Sequence, residues 1–370
     1  AEGLMLRDAN KRPFVLSRSF YAGSQRWGAV WTGDNAAQWS HLKQAAPMLL
    51  SMSVCGLIFV GADAGGFFGD PDAELMARWI QAAAYTPFFR GHAHHDAKRR
   101  EPWSFGQPTT SYIRRAIADR YALLPYWYSV FAESRFSGLP VMRPLWAEFP
   151  SDSGALLLDD QWMVGSALLV KPVTEQGAQH VDAYLPPGRW YEVHGPAPLT
   201  HDSRGQRVRA KAPIEGTAPL FQRGGTVVPR QRRLRRSTVA MATDPYELTI
   251  ALDANGAAAG EVFLDDGVSF DFVRGGFART AFSYANGKLS AAPAHECDAR
   301  ARALGVEAAD GGAFAPANVV ERIVVLGLPA SPKAVAVAGR AVDFSWTAGA
   351  LTIRRPDLPM AGAWAVDFTF

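Results

Sequence analysis

Four side chains able to do chemistry stand at the ends of four short apolar runs early in this 370-residue chain. Arg18 closes Phe14-Val15-Leu16-Ser17, and Asp34 follows Gly28-Ala29-Val30-Trp31. Asp63 follows Leu57-Ile58-Phe59-Val60, and His92 follows Tyr85-Thr86-Pro87-Phe88-Phe89. A cation, two carboxyls and an imidazole suit the splitting of an acetal, in which a proton must reach the leaving oxygen while negative charge faces the developing oxocarbenium ion. Asp34 is the candidate acid. Trp31 beside it can lay an aromatic face against a sugar ring, and its apolar bulk is expected to lift the carboxyl toward a useful range. Arg18, Asp63 and His92 supply hydrogen-bonding groups for sugar hydroxyls, and Phe67, Phe68 and Trp103 could extend the apolar platform.

Each residue also has a purely structural reading. Asp34 before Asn35-Ala36-Ala37 can cap a helix. Asp63 can hold the turn at Gly65-Gly66, and Arg18 can pair with a buried carboxylate. His92, His94, His95 and Asp96 crowd together, but their spacing fits no zinc pattern, so no metal is expected, His94 and His95 are read as loop residues, and no cofactor is implied. Asp265-Asp266-Gly267 has the chemistry of a hairpin turn. Arg230, Arg232, Arg233, Arg235 and Arg236 lack interleaved aromatics and read as a solvated or domain-interface face.

Bringing four strand ends to one side of one sheet is what an α/β barrel does with its chemistry. Ala36 to Val54 and Glu74 to Ala84 read as the intervening helices, and Ser111 to Glu133 carries Ile113, Ile117, Tyr121, Leu124 and Tyr128 at helical steps. Pro125 should bend or break that helix. Beyond Gly138 the pattern changes to short apolar runs between turn residues: Trp162 to Val164, Ala167 to Val170, His180 to Leu185, Ile214 to Leu220, Thr226 to Val228, Tyr246 to Leu252 and Gly260 to Leu264. Such regular short strands indicate β-sandwiches. The expected fold is therefore α/β plus all-β: the second half of a (β/α)8 barrel over residues 1–142, a proximal β-domain over 143–222 and a distal β-domain over 223–370. Four strands are half of a closed barrel, so an upstream half is expected in a larger protein.

Composition fits this picture. At 48% hydrophobic and 20% charged the chain can bury more than one core, and a net charge of +3 gives no whole-chain field for nucleic acid. No apolar run approaches the roughly 20 residues of a membrane span. Cys55 and Cys297 make no disulfide framework.

Arg18-Ser19, Trp31-Thr32-Gly33-Asp34-Asn35, Gly61-Ala62-Asp63-Ala64-Gly65-Gly66-Phe67 and Phe88-Phe89-Arg90-Gly91-His92 resemble, in order, the successive signatures of glycoside hydrolase family 31. Gly23-Ser24-Gln25-Arg26-Trp27-Gly28, Arg99-Arg100-Glu101-Pro102-Trp103 and the run from Phe221 to Arg230 are similar to the family's endoplasmic-reticulum, N-glycan-trimming branch. The resemblance implies a retaining α-glucosidase with Asp34 as general acid/base and with Arg18, Trp31, Asp63, Phe67 and His92 in the first sugar pocket. It further implies removal of terminal α-1,3-linked glucose from N-linked glycan precursors, and a noncatalytic β subunit retaining the enzyme in the endoplasmic-reticulum lumen. The family's nucleophilic aspartate lies in a Trp-x-Asp-Met-Asn-Glu type segment upstream of the Arg18 strand, and nothing here matches it. Carboxyls roughly 5 to 5.5 Å apart cannot then be completed from these residues, and the chain alone is expected to be inactive. A noncatalytic sugar-binding relative, a transglucosylase and an α-glucan lyase remain alternatives on the same barrel.

Overall fold

A computed structural model describes residues 1–193, 198–200, 203–294, 314–347 and 349–370. Cys297 and the Ala-rich patch around Ala303 lie outside the described residues. After a short surface helix, α1 (Glu2–Arg7), three parallel strands pair in the order β1 (Leu16–Ser17), β2 (Ala29–Trp31) and β3 (Val60–Gly61). Helix α2 (Trp39–Val54) crosses over from β2 to β3, and Leu42, Ala46, Leu49 and Leu50 recur at helical spacing to give it one buried face. Helix α3 (Ala73–Ala83) starts where the Asp72 carboxylate accepts the Leu75 N–H at 2.7 Å, a cap that satisfies one of the four free donors of a helix start. Its Arg78 is buried and donates to the Ala178 and Ala212 carbonyls, tying the barrel to the β-region that follows. Among the described residues no helix is long and apolar enough to cross a membrane.

The expected fourth strand, Tyr85 to Phe89, is a turn instead. Pro87 has no N–H to give a ladder. Among the described residues the segment's backbone bonds β3 through Phe88 N–H to the Val60 carbonyl, and just beyond both segments Ala64 N–H bonds the Arg90 carbonyl, each at 3.0 Å. Gly61 permits the approach, because a Cβ there would stand 2.0 Å from the Phe88 carbonyl oxygen. The stranded carbonyls are taken up by side chains. Arg120 donates to Ala84, Thr86 and Pro87 at 2.7 to 2.9 Å, and the Trp162 indole N–H donates to Tyr85 at 2.8 Å.

Arg120 lies in the last turn of α4 (Thr109–Ala122), which is followed directly by α5 (Leu124–Ser137). The helical stretch expected from Ser111 to Glu133 thus breaks just before Pro125, as the proline leads one to expect. Next come β4 (Met142–Arg143), the short α6 (Leu145–Glu148), β5 (Trp162–Val164), β6 (Leu168–Val170), β7 (His180–Leu185), β8 (Trp190–Glu192), β9 (Pro198–Thr200), β10 (Gln206–Lys211) and β11 (Leu220–Arg223). Six of these strands form one sheet in the order β4-β5-β6-β11-β8-β9, and β7 pairs with β10. The run from Ile214 to Leu220 joins a strand only at its last residue. Pro213, Gly216 and Pro219 interrupt it, and the Ile214 and Gly216 carbonyls bond Gln81 of α3 in place of a neighbouring strand.

Among the described residues from Thr226 to Thr369, about two fifths of the chain, eleven strands form one sheet. Val227, Ile250, Phe282, Ile323, Ile353 and Phe368 come from across its width yet share one core, so the sheet curls around its own apolar face. It is fastened to the barrel through α5, where Tyr128 donates to Asp265 at 2.6 Å and the Ser129 hydroxyl accepts the Phe263 N–H at 3.0 Å.

Replacing Arg120 with methionine keeps the length of the side chain and removes three charge-assisted bonds from a buried turn. We expect a loss of about 4 kcal/mol in folding stability, read as a fall in the urea midpoint; an unchanged midpoint would contradict the role given to this side chain.

Candidate active site

The C-terminal ends of β1 and β2 bring Arg18 and Asp34 into contact. One guanidinium nitrogen of Arg18, Nη1, donates to Asp34 Oδ2 at 3.1 Å, and the Asp34 side chain keeps 27% of its surface exposed. Gly33 between the strand and the carboxylate has φ +86°, and a Cβ there would press to 3.0 Å from Arg18 Nε. Only glycine combines that backbone with that neighbour. The apolar enclosure expected around Asp34 is thus replaced by an open ion pair, and the face of Trp31 is turned to another residue, Arg90, whose guanidinium carbon lies 5.2 Å from the ring centroid.

Asp63 has a different environment. It is 1% exposed, and both Nε and Nη2 of Arg90 donate to its Oδ1, at 3.1 and 2.5 Å. Among the described residues neither its Oδ2 nor the buried indole Nε1 of Trp31 has a hydrogen-bond partner. Burial pushes the Asp63 carboxyl above its ordinary value of 3.8, and the opposing pull of Arg90 and of His92 does not cancel it; the nearby Asp34 charge adds to the rise.

Of the remaining residues, Phe67 hangs on the loop after β3 and His92 follows the turn from Tyr85 to Phe89. The Phe67 ring is tilted against His92 with centroids 5.3 Å apart and meets Phe68 edge-on at 4.7 Å. Arg100, itself buried, grips this loop from behind by donating to the Gly66 and Gly69 carbonyls, each at 2.6 Å. On the other side Asn35 holds it, accepting the Phe67 N–H and donating to the Asp63 carbonyl. The six residues singled out from sequence therefore form one connected group: Arg18 with Asp34, Asp63 with Trp31 through Arg90, Phe67 with His92, and Asn35 joining the Asp34 loop to the Phe67 loop. Trp103 is 69% exposed on a turn and makes none of these contacts. His94, His95 and Asp96 lie together, with the carboxylate 3.5 and 3.2 Å from the two imidazoles, and His94 borders the site, its ring 5.6 Å from Phe67 and its backbone N–H bonded to the Phe67 carbonyl.

Arg90, Asn35 and Arg100 were not picked out by the sequence reading. Arg90 had a usable signal, since it occupies the same place after an apolar run as Arg18 and Asp34. Asn35 and Arg100 act on distant backbone carbonyls, which no local spacing reports.

Residues 1–130 match the TIM-barrel domain of glycosyl hydrolases family 31, and residues 138–228 match that family's C-terminal domain. The chain belongs to glycosyl hydrolase family 31. It is 44% identical over 369 residues to a neutral alpha-glucosidase AB of Dictyostelium discoideum, covering 97% of this chain and 37% of that protein. It superposes with a TM-score of 0.87 and 35% identity on a glucosidase II alpha subunit in an alpha3-Glc2-bound form, covering 97% of this chain and 40% of that one. A complex of the endoplasmic-reticulum glucosidase II catalytic subunit with the binding domain of its regulatory subunit gives 0.86 at 35% identity, covering 97% and 39%. The family 31 chain thus spans about two fifths of the length of such relatives.

The raised pKa of Asp63 has a sign that can be measured in this family 31 fold. A carboxyl whose folded pKa exceeds its unfolded one stabilises most below the unfolded value, and that contribution is lost as pH rises through the folded pKa. From pH 3.8 upward, Asp63→Asn should therefore flatten the fall in stability, while Arg90→Met, which removes the opposing cation, should extend the fall to higher pH. Urea midpoints across a pH series decide this, and parallel curves for all three proteins would reject it.

Proposed function

We propose that this chain carries the acid/base half of a retaining α-glucosidase that removes terminal α-linked glucose, with α-1,3-linked glucose on N-linked glycan precursors as its substrate. The observation that carries the reading is the Arg18–Asp34 pair at the mouth of β1 and β2, on the face where a barrel keeps its chemistry. Asp34 protonates the glycosidic oxygen as the bond to C1 breaks. It then takes a proton from the water that attacks the glucosyl ester, so one carboxyl serves both steps in turn. Arg18 and His92 hydrogen-bond the glucose, Phe67 and Trp31 wall the pocket, and Asp63 Oδ2, which has no partner among the described residues, is the acceptor left for a hydroxyl.

The nucleophilic carboxylate comes from outside these 370 residues. Asp63 is poorly suited to attack C1, being buried, pinned at one oxygen by Arg90 and biased by burial toward its neutral form. The linkage preference is supported by the alpha3-Glc2-bound form of the similar glucosidase II alpha subunit. The complex of that catalytic subunit with the binding domain of a regulatory subunit supports a glucosidase II β subunit as partner and the endoplasmic-reticulum lumen as compartment. The division into a barrel part over 1–142, a proximal β-domain over 143–222 and a distal β-domain over 223–370 belongs to the same proposal.

In the intact protein, Asp34→Asn should lower glucose release from an α-glucoside by roughly a hundred- to ten-thousand-fold, the usual worth of general acid catalysis. Turnover at the original rate would remove Asp34 from the mechanism. Arg18→Ala and His92→Ala should each weaken inhibition by a glucose-like iminosugar by about tenfold, as expected for losing one hydrogen bond to a bound sugar.

A further inference from the structure

Asn35 follows the proposed acid/base directly, and its amide bridges two loops. Nδ2 donates to the Asp63 carbonyl at 3.0 Å while Oδ1 accepts the Phe67 N–H at 2.9 Å. The Asn35 backbone carbonyl accepts from Phe67 at 2.8 Å and from Phe68 at 2.9 Å, and Ala37 N–H returns a bond to the Phe68 carbonyl at 2.8 Å. The two backbones lie so close that a Cβ on Gly66, which has φ +83°, would stand 2.3 Å from the Ala37 nitrogen. The loop that presents Asp34 and the loop that presents Phe67 are therefore bonded to each other through backbone and side chain, and the Asn35 amide supplies two of those bonds.

We propose that Asn35 is a positioning residue for the acid/base: it fixes the distance from the Asp34 carboxyl to the sugar face defined by Phe67. The inference rests on the reading of Asp34 given above. Proton donation to a glycosidic oxygen needs a heavy-atom separation of about 2.6 to 3.2 Å. A misplacement of about 1 Å can cost on the order of a hundredfold in rate, even when the sugar still binds. Arg100 acts on the same Phe67 loop, donating to the Gly66 and Gly69 carbonyls and, among the described residues, forming no hydrogen bond to the Asp34 segment, so it should govern the platform without governing the proton.

The dependence on leaving group separates these roles. An alkoxide must be protonated as it leaves, whereas a nitrophenolate departs with little help from the acid. In the intact protein, Asn35→Ala should reduce kcat/KM for a methyl α-glucoside by about a hundredfold and for a 4-nitrophenyl α-glucoside by about tenfold or less. Arg100→Met should reduce both by the same factor. Equal losses in Asn35→Ala, or none, overturn the proposal. If Asn35→Ala shows no cooperative melt, the neutral Asn35→Ser variant replaces it, with the same split expected and its absence equally fatal. Asp34→Ala, measured alongside, must show the split for the acid/base reading to stand. A split in Asp34→Ala with none at Asn35 removes only the positioning role.

Discussion

Among the described residues no strand runs beside Ala84 to Pro87 to donate to its carbonyls, and Arg120 donates to three of them at once. A buried carbonyl left without a donor costs about 1 to 3 kcal/mol, so this turn could not sit inside the fold without such a side chain. Burial pushes the Arg120 pKa down to about 10, which still leaves a full cation at neutral pH, and the rings of Phe89 and Trp127 sandwich it at 5.2 and 4.8 Å. The turn runs straight into Arg90 and His92. Through Arg90 it sets the orientation of Asp63 and covers one face of Trp31; through His92 it backs Phe67. A guanidinium on the outer helix layer thus determines where half of the pocket stands.

That dependence explains which parts of the fold were legible in the sequence. The runs ending at Arg18, Trp31 and Val60 read as parallel strands because apolar residues are followed by turn residues and by spacers long enough for a crossover, and each became a strand. Tyr85 to Phe89 has the same apolar character but contains Pro87, and the missing donor outweighed the hydrophobic pattern. Ile214 to Leu220 failed for the same reason, with Pro213, Gly216 and Pro219 in seven residues. The identity of the pocket residues was legible because each follows directly on its run. Their partners Asn35, Arg100 and Arg120 were not, because each works through bonds to backbone carbonyls about 30 residues away, and such pairings leave no period in the sequence.

The distal sheet contributes to the same end from the opposite direction. Arg12, just before β1, donates to the Tyr128 hydroxyl at 2.7 Å and pairs with Asp265 at 3.2 Å, and its backbone N–H bonds the Val268 carbonyl at 2.9 Å. The segment that leads into the Arg18 strand is therefore fastened to a hairpin more than 250 residues away in the chain. Asp265 is 1% exposed at its side chain, and Asp266 and Gly267 complete the turn that the sequence suggested. The turn chemistry was readable; its use as an anchor for β1 was not.

The charges of the pocket give a reason to look for a third carboxylate. Arg18 contacts Asp34 and Arg90 contacts Asp63, so each cation has a carboxyl beside it. On the proposed reading Asp34 carries the proton that it donates, and the two pairs then offer no excess of negative charge to a cationic transition state. A developing oxocarbenium ion is stabilised by negative charge placed where it forms, which on that reading a further carboxylate across the sugar would supply. The two carboxyls differ in setting: Asp34 is partly open and paired with Arg18, whereas Asp63 is enclosed and held at one oxygen by Arg90. On the proposed reading that contrast suits an acid/base and a structural bracket, and the nucleophile is then a third carboxylate.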